Sequence, residues 1–178
     1  EMRDEETASI GIESSLTGHL VFSTLHTNSA PETVTRLLDM GMDPFSFSDA
    51  LLCILAQRLA RRLCNECKES YKPGRSELKE IIEEYGIEHF KRTNIDPADI
   101  TLWKPKGCPK CNNVGYKGRL GLHELLEEMK SLIKKKADID VIRNQAIKDG
   151  MTTLKQDGFL KVFQGLTDLK EVRSVCIK

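Results

Sequence analysis

Two Cys-x-x-Cys knuckles, Cys64/Cys67 and Cys108/Cys111, constrain this chain more than any other feature. Two residues between ligands let the backbone double back, so that both sulfurs face one point while nearby N–H groups turn toward them. Two such turns complete a tetrahedral four-sulfur set. One knuckle alone is ambiguous between a redox dithiol and half a metal site. Two favour structural zinc over disulfides, an iron–sulfur cluster or coincidence. The stretch between them, residues 68–107, is longer than a compact zinc ribbon needs and must carry structure of its own. Such a metal staples a fold and does not say what the protein does.

Bulk properties narrow the setting. The 178 residues suffice for one domain, or one domain and a small appendage. Twenty-seven basic and 27 acidic residues cancel, so no global field recruits nucleic acid or a membrane surface. No apolar run approaches the ~18–20 residues that span a bilayer, and no signal peptide is visible. The remaining cysteines, Cys53 and Cys176, lack metal spacing and read as small buried apolar residues. Together the six fit a reducing compartment, the cytoplasm, better than a secreted disulfide framework. The chain opens on Glu1-Met2-Arg3-Asp4 with no initiating methionine, and is expected to be a fragment cut just upstream of a helix.

Asp4 is placed to cap that helix, with Glu5 and Glu6 suiting its N-terminal dipole and Ala8, Ile12 and Leu16 forming its apolar stripe. His19 to Thr24 reads as a short buried strand. Ser29 and Glu32 form a capping box for a second helix, with Pro31 in its first turn and Val34, Leu37 and Leu38 on one face. A longer helix is predicted from Ser46 or Ser48 to about Leu63, using Leu51, Leu52, Ile54, Leu55 and Leu59. Further helices are predicted over Ser76–Tyr85, 122–129, 138–149, 152–164 and 168–175, with Gly86, Gly150 and Gly165 as breaks. Residues 94–106 look irregular. The fold class is mostly α with few strands. One strand after Gly18 cannot make a sheet, so its partners lie upstream of Glu1 or the strands are hidden around the knuckles.

Several stretches together resemble one family. Glu1-Met2-Arg3-Asp4-Glu5-Glu6-Thr7-Ala8, then Thr17-Gly18-His19-Leu20-Val21-Phe22-Ser23-Thr24-Leu25-His26-Thr27-Asn28, are similar to the ATPases that drive type II secretion and type IV pilus assembly. The match continues through Arg36-Leu37-Leu38-Asp39-Met40-Gly41, through Leu55-Ala56-Gln57-Arg58-Leu59-Ala60-Arg61-Arg62-Leu63-Cys64, and through Gly115-Tyr116-Lys117-Gly118-Arg119. The resemblance implies the C-terminal part of a RecA-like α/β ATPase core (1–63), a tetracysteine zinc-binding subdomain (64–111) and a C-terminal helical subdomain (112–178). It implies a homo-hexamer using Mg-ATP, cytoplasmic and held at the inner membrane through platform proteins. Glu1 corresponds to the Walker B glutamate, which orients or activates the attacking water. His26 falls in the histidine box and is expected to sense the γ-phosphate, whereas His19 of the same box is expected to be structural. The knuckles mark the assembly branch, because retraction motors lack them, and the stretch between them is a candidate docking surface.

The chain departs from the family pattern at one decisive place. No G-x-x-x-x-G-K-[ST] loop occurs in it, so the chain by itself is expected neither to hydrolyse nor to bind ATP firmly. Other features have bland readings. Arg58, Arg61 and Arg62 form a basic strip at helical spacing, but zero net charge and a single Trp speak against a nucleic-acid partner. Arg119 is expected to pair with a carboxylate such as Glu124. His123 is expected to be structural, since four cysteines already fill a tetrahedron, and Phe159 and Phe163 are expected in a core. Two non-enzymatic alternatives stay open on the residues alone: a free-standing zinc-stapled interaction module and a zinc-ribbon nucleic-acid binder.

Overall fold

Helix-capping residues behave as the sequence predicts. In a computed structural model, which describes residues 1–127 and 129–176, Asp4 accepts the Thr7 N–H at 2.9 Å and opens helix α1 (Glu5–Leu16). Ser29 caps α2 (Ala30–Asp39) by accepting the Glu32 N–H at 3.3 Å. The other half of the expected box is displaced by one residue, because the Glu32 carboxylate accepts the Asn28 N–H at 2.8 Å. Asp43 caps a short α3 (Pro44–Ala50).

Beyond Ala50 the expected helix to Leu63 is a strand, β1 (Cys53–Leu63). Its burial alternates, with Cys53, Leu55, Gln57 and Leu59 outward and Ile54, Ala56, Arg58 and Ala60 inward. The leucine-rich run fits a helical stripe and a period-two pattern equally well, and pairing decides between them. The partner is β4 (Tyr116–Glu127), which replaces the helix expected over 122–129; residue 128 of that span lies outside the described residues. Leu122, Glu124 and Leu126 are buried in β4 while His123, Leu125 and Glu127 are exposed, again a period of two. Conversely, the strand expected over His19–Thr24 is absent. A strand needs a ladder of partners, whereas this segment shows the Met2 N–H donating to Thr24 O at 3.0 Å and leaves Phe22 88% exposed. Among the described residues the strands lie around the knuckles. Cys53, expected to be buried, is exposed at the outward-facing start of β1.

The chain divides into two compact units. The first comprises residues 1–57 and 123–153 and contains α1, α2, α3, α6 (Lys130–Lys134) and α7 (Ile139–Lys148). Its core joins Ala8 and Ile12 of α1, Val34 and Leu37 of α2, Phe47, Leu126, Ile133 and Ile142. The second comprises residues 58–122 and those from 154 onward. It holds a small antiparallel sheet, β2 (Glu69–Tyr71) against β3 (Leu102–Lys104), with Ser70 opposite Trp103. Around it lie α4 (Arg75–Tyr85), α5 (Ile87–Arg92), α8 (Leu154–Phe163) and α9 (Leu169–Val175). The core here is aromatic: Tyr85 meets Phe90 edge to face at 5.8 Å, and Phe159 and Val162 are fully buried. The helices expected over 76–85, 138–149, 152–164 and 168–175 are all present to within a few residues. β1 and β4 each contribute residues to both units.

Gly158 shows how closely α8 and α9 approach. A Cβ there would lie 2.6 Å from Val172 Cγ1 and 3.2 Å from Leu122 Cδ1, so the contact accepts glycine alone. α9 is fastened further by a polar ring. Asp168 caps it through the Glu171 N–H at 3.0 Å and accepts the Tyr116 hydroxyl. Glu171 accepts the Arg61 N–H at 3.1 Å and pairs with its guanidinium, which lies 4.1 Å over the Tyr116 ring. The basic strip expected from Arg58, Arg61 and Arg62 is thus not a helical face, and Arg61 is already engaged within its own unit.

Candidate functional site

The four knuckle cysteines converge in the second unit. Cys64 follows directly on β1, and the turn behind it closes through Cys67 N–H and Lys68 N–H donating to Cys64 O at 3.2 and 3.0 Å. Cys108 opens a 3-10 turn, Pro109–Cys111, whose exit runs through left-handed Asn112 and Asn113. Gly107 enters it at φ +101°, where a Cβ would lie 2.7 Å from Asn113 O. Cys64 N–H donates to Gly115 O at 2.9 Å and so joins the two knuckles.

All four Sγ atoms lie within 4.8 Å of one another. The Cys64–Cys108, Cys67–Cys111 and Cys108–Cys111 separations are 4.0, 3.8 and 3.7 Å. A tetrahedron with metal–sulfur bonds of about 2.3 Å has sulfur–sulfur edges of about 3.8 Å. The residues therefore fit a tetrahedral metal in both donor chemistry and spacing. The backbone is prepared for thiolate as well, since Cys108 N–H and Gly115 N–H each donate to Cys111 Sγ at 3.2 Å. Burial opposes charge on Cys111, but these two N–H groups, together with hydrogen bonds from the Cys108 and Cys67 thiols, outweigh it and bring its thiol down to about 6. Cys67, where burial dominates, is pushed up to about 11. His123 does not join the cluster.

Glu1 and His26, the other site residues expected from sequence, meet in the first unit. His26 Nε2 lies 3.2 Å from Glu1 Oε1, and the second oxygen of Glu1 accepts from Arg3 at 2.7 Å. The Arg3 guanidinium holds the Glu1 carboxyl below the ordinary carboxylate range, with His26 adding to the effect. The His26 side chain is 92% exposed, so packing does not hold it. His19 Nδ1 lies 3.2 Å from Ser14 O at the end of α1. Arg119 does not take Glu124 as its partner. Glu124 is buried and accepts the Ala30 N–H at 2.7 Å. Sequence reading missed this contact, and the signal for it is a carboxylate at an inward position between Leu122 and Leu126. Among the described residues, no helix is long and apolar enough to cross a membrane.

The chain has known relatives. The family model described as "Type II/IV secretion system protein" matches residues 1–174. The type II secretion system ATPase E of Vibrio cholerae is 44% identical over 178 residues, covering 98% of this chain and 33% of that protein. The type IV pilus assembly ATPase PilB of Thermus thermophilus is 43% identical, covering 97% of this chain and 19% of that protein. In fold alone, the X-ray structure of the Legionella pneumophila ATPase DotB is similar with a TM-score of 0.59 and 17% identity, over 98% of this chain and 36% of that one. The chain belongs to the type II/IV secretion system protein family. It spans a third or less of the length of these curated relatives.

Proposed function

We propose that these residues form part of a hexameric ATPase that powers type II secretion or type IV pilus assembly. The phosphate-cradling P-loop would come from sequence outside the 178 residues. The observation that carries the reading is the 3.2 Å approach of His26 to Glu1, which brings together two motif residues 25 positions apart. Mg-ATP, when bound, would supply the transferable γ-phosphoryl group and the cation that offsets its charge. Glu1, lowered in pKa and therefore ionised at neutral pH, orients the attacking water. His26 hydrogen-bonds toward the γ-phosphate side and relays its presence to a neighbouring subunit.

Zinc on Cys64, Cys67, Cys108 and Cys111 is structural in this reading. It holds the start of β4 to the end of β1 and takes no part in hydrolysis. The protein acts in the cytoplasm, peripheral to the inner membrane through platform proteins, and contacts no nucleic acid. Family membership leaves the free-standing interaction module and the nucleic-acid binder without support. The test is ATP turnover by the native, P-loop-bearing protein. Glu1→Gln is expected to lower kcat by about a hundredfold or more while ATP binding persists. Turnover unchanged by Glu1→Gln and by His26→Ala would overturn the reading.

A further inference from the structure

The loop carrying His26 is tied down on both sides although its key side chain is exposed. Upstream, the Met2 N–H donates to Thr24 O at 3.0 Å, next to Glu1 itself. Downstream, the Ala30 N–H donates to Glu124 Oε1 at 2.7 Å. Between these ties, Thr27 and Thr33 share a hydroxyl contact of 2.7 Å and the Asn28 N–H donates to Glu32 at 2.8 Å. The downstream tie differs in kind from the others, because its acceptor comes from β4, 94 positions away, and is only 4% exposed.

A carboxylate at that place is costly to keep. Leu122 and Leu126, its neighbours on the inward face of β4, show that the pattern asks for an apolar side chain. What a leucine cannot do is accept the first N–H of α2, where the helix dipole also favours negative charge. The Ala30 contact with Glu124 thus fixes where α2 begins, four residues after His26. We infer that Glu124 is a positioning residue for His26: through Ala30 it holds the end of the histidine loop so that the imidazole stays within reach of Glu1. The inference rests on the reading of His26 as the group that meets the γ-phosphate.

The test uses the native protein with His26→Ala, Glu124→Asp, Glu124→Gln and the double variant His26→Ala/Glu124→Asp. Asp keeps the charge but draws the carboxylate back by one methylene; Gln keeps the reach and the acceptor oxygen. Glu124→Asp is expected to lower kcat for ATP about ten- to a hundredfold with KM within about twofold, and to speed hydrogen exchange at Ala30. Glu124→Gln is expected to restore most of the turnover. The double variant should be no slower than His26→Ala alone, since Glu124 acts through His26. A full-speed Glu124→Asp beside a slow His26→Ala overturns the positioning role and leaves the reading of His26 intact. A full-speed His26→Ala overturns both. Multiplying defects in the double variant mean a general structural role and also overturn the inference. Should Asp unfold the protein, Glu124→Gln carries the test: protection at Ala30 with turnover lost refutes positioning through the hydrogen bond.

Discussion

The cysteine cluster and the histidine loop solve the same problem, holding reactive side chains a few ångströms apart, in opposite ways. Each cysteine pair is set by its own turn, and two backbone N–H groups are already aimed at Cys111 Sγ. The Glu1–His26 pair has no such local device, since an exposed imidazole meets a carboxylate 25 positions away. Three of the four cysteines are buried, while the His26 loop is held at its ends. Under the proposed function, the difference is that between a metal site that stays closed and a site that meets a ligand arriving from outside. The first is stabilised by its own geometry; the second must borrow rigidity from distant parts of its unit.

The largest expected effect breaks the closed side of the comparison. Metal analysis should find about one zinc per chain, and removing it with a chelator should strip the second unit of cooperative melting while leaving the first folded. Structural zinc sites contribute on the order of 10 kcal/mol or more to the folded state. Cys111→Ser should mimic chelation, because it removes the thiolate that the two N–H groups stabilise. Metal content near zero in the unmodified protein, or an unchanged melt after chelation, sinks the assignment.

How much of this was legible beforehand follows the same contrast. The knuckles are local, so their spacing in sequence announces their meeting in space. The helix caps at Asp4, Ser29 and Asp168 are local as well, and the helices they open were readable. β1 and β4 were not, because Leu, Arg and Ala favour helix intrinsically and the pairing that overrides them joins positions some sixty residues apart. The Ala30–Glu124 contact was hidden for the same reason. Family resemblance pointed to Glu1 and His26 individually, but their 3.2 Å approach is a product of the fold.

A second, smaller effect tests the packing of the metal-bearing unit without touching its sulfurs. Gly158→Ala puts a methyl group 2.6 Å from Val172 Cγ1, and α8 and α9 must part to admit it. Overpacking of this kind costs about 1–3 kcal/mol. The melting temperature of the second unit should fall with zinc content unchanged. An equally stable Gly158→Ala would mean that α9 is held loosely.

The polar ring around α9 gives a pH-dependent prediction. Arg61, and beyond it burial in the opposite direction, set the Glu171 carboxyl below its ordinary range, with Arg61 prevailing. A carboxylate depressed in the folded state stabilises it above the unfolded-state pKa, about 4.3, and loses that contribution as pH falls through the folded-state value. Glu171→Gln should therefore cost about 1–2 kcal/mol at pH 7, moderated by solvent at the half-exposed Arg61. The gap between the two proteins should narrow as pH drops below 4. A gap independent of pH would assign the ring's contribution to shape and not to charge.

The smallest effect belongs to the open site and sharpens the contrast most. Arg3→Ala removes the guanidinium that chiefly lowers Glu1, in surroundings where both side chains reach solvent. Screening there is strong, so the melting temperature should not move measurably. What should move is the titration of the Glu1 carboxyl, followed by carbon-detected NMR. It should rise toward the ordinary glutamate value, still leaving the group ionised at neutral pH. An unmoved Glu1 would mean that His26 alone poises it, and the histidine loop, fixed through Ala30 and Glu124, would then control the charge on Glu1 as well as its geometry.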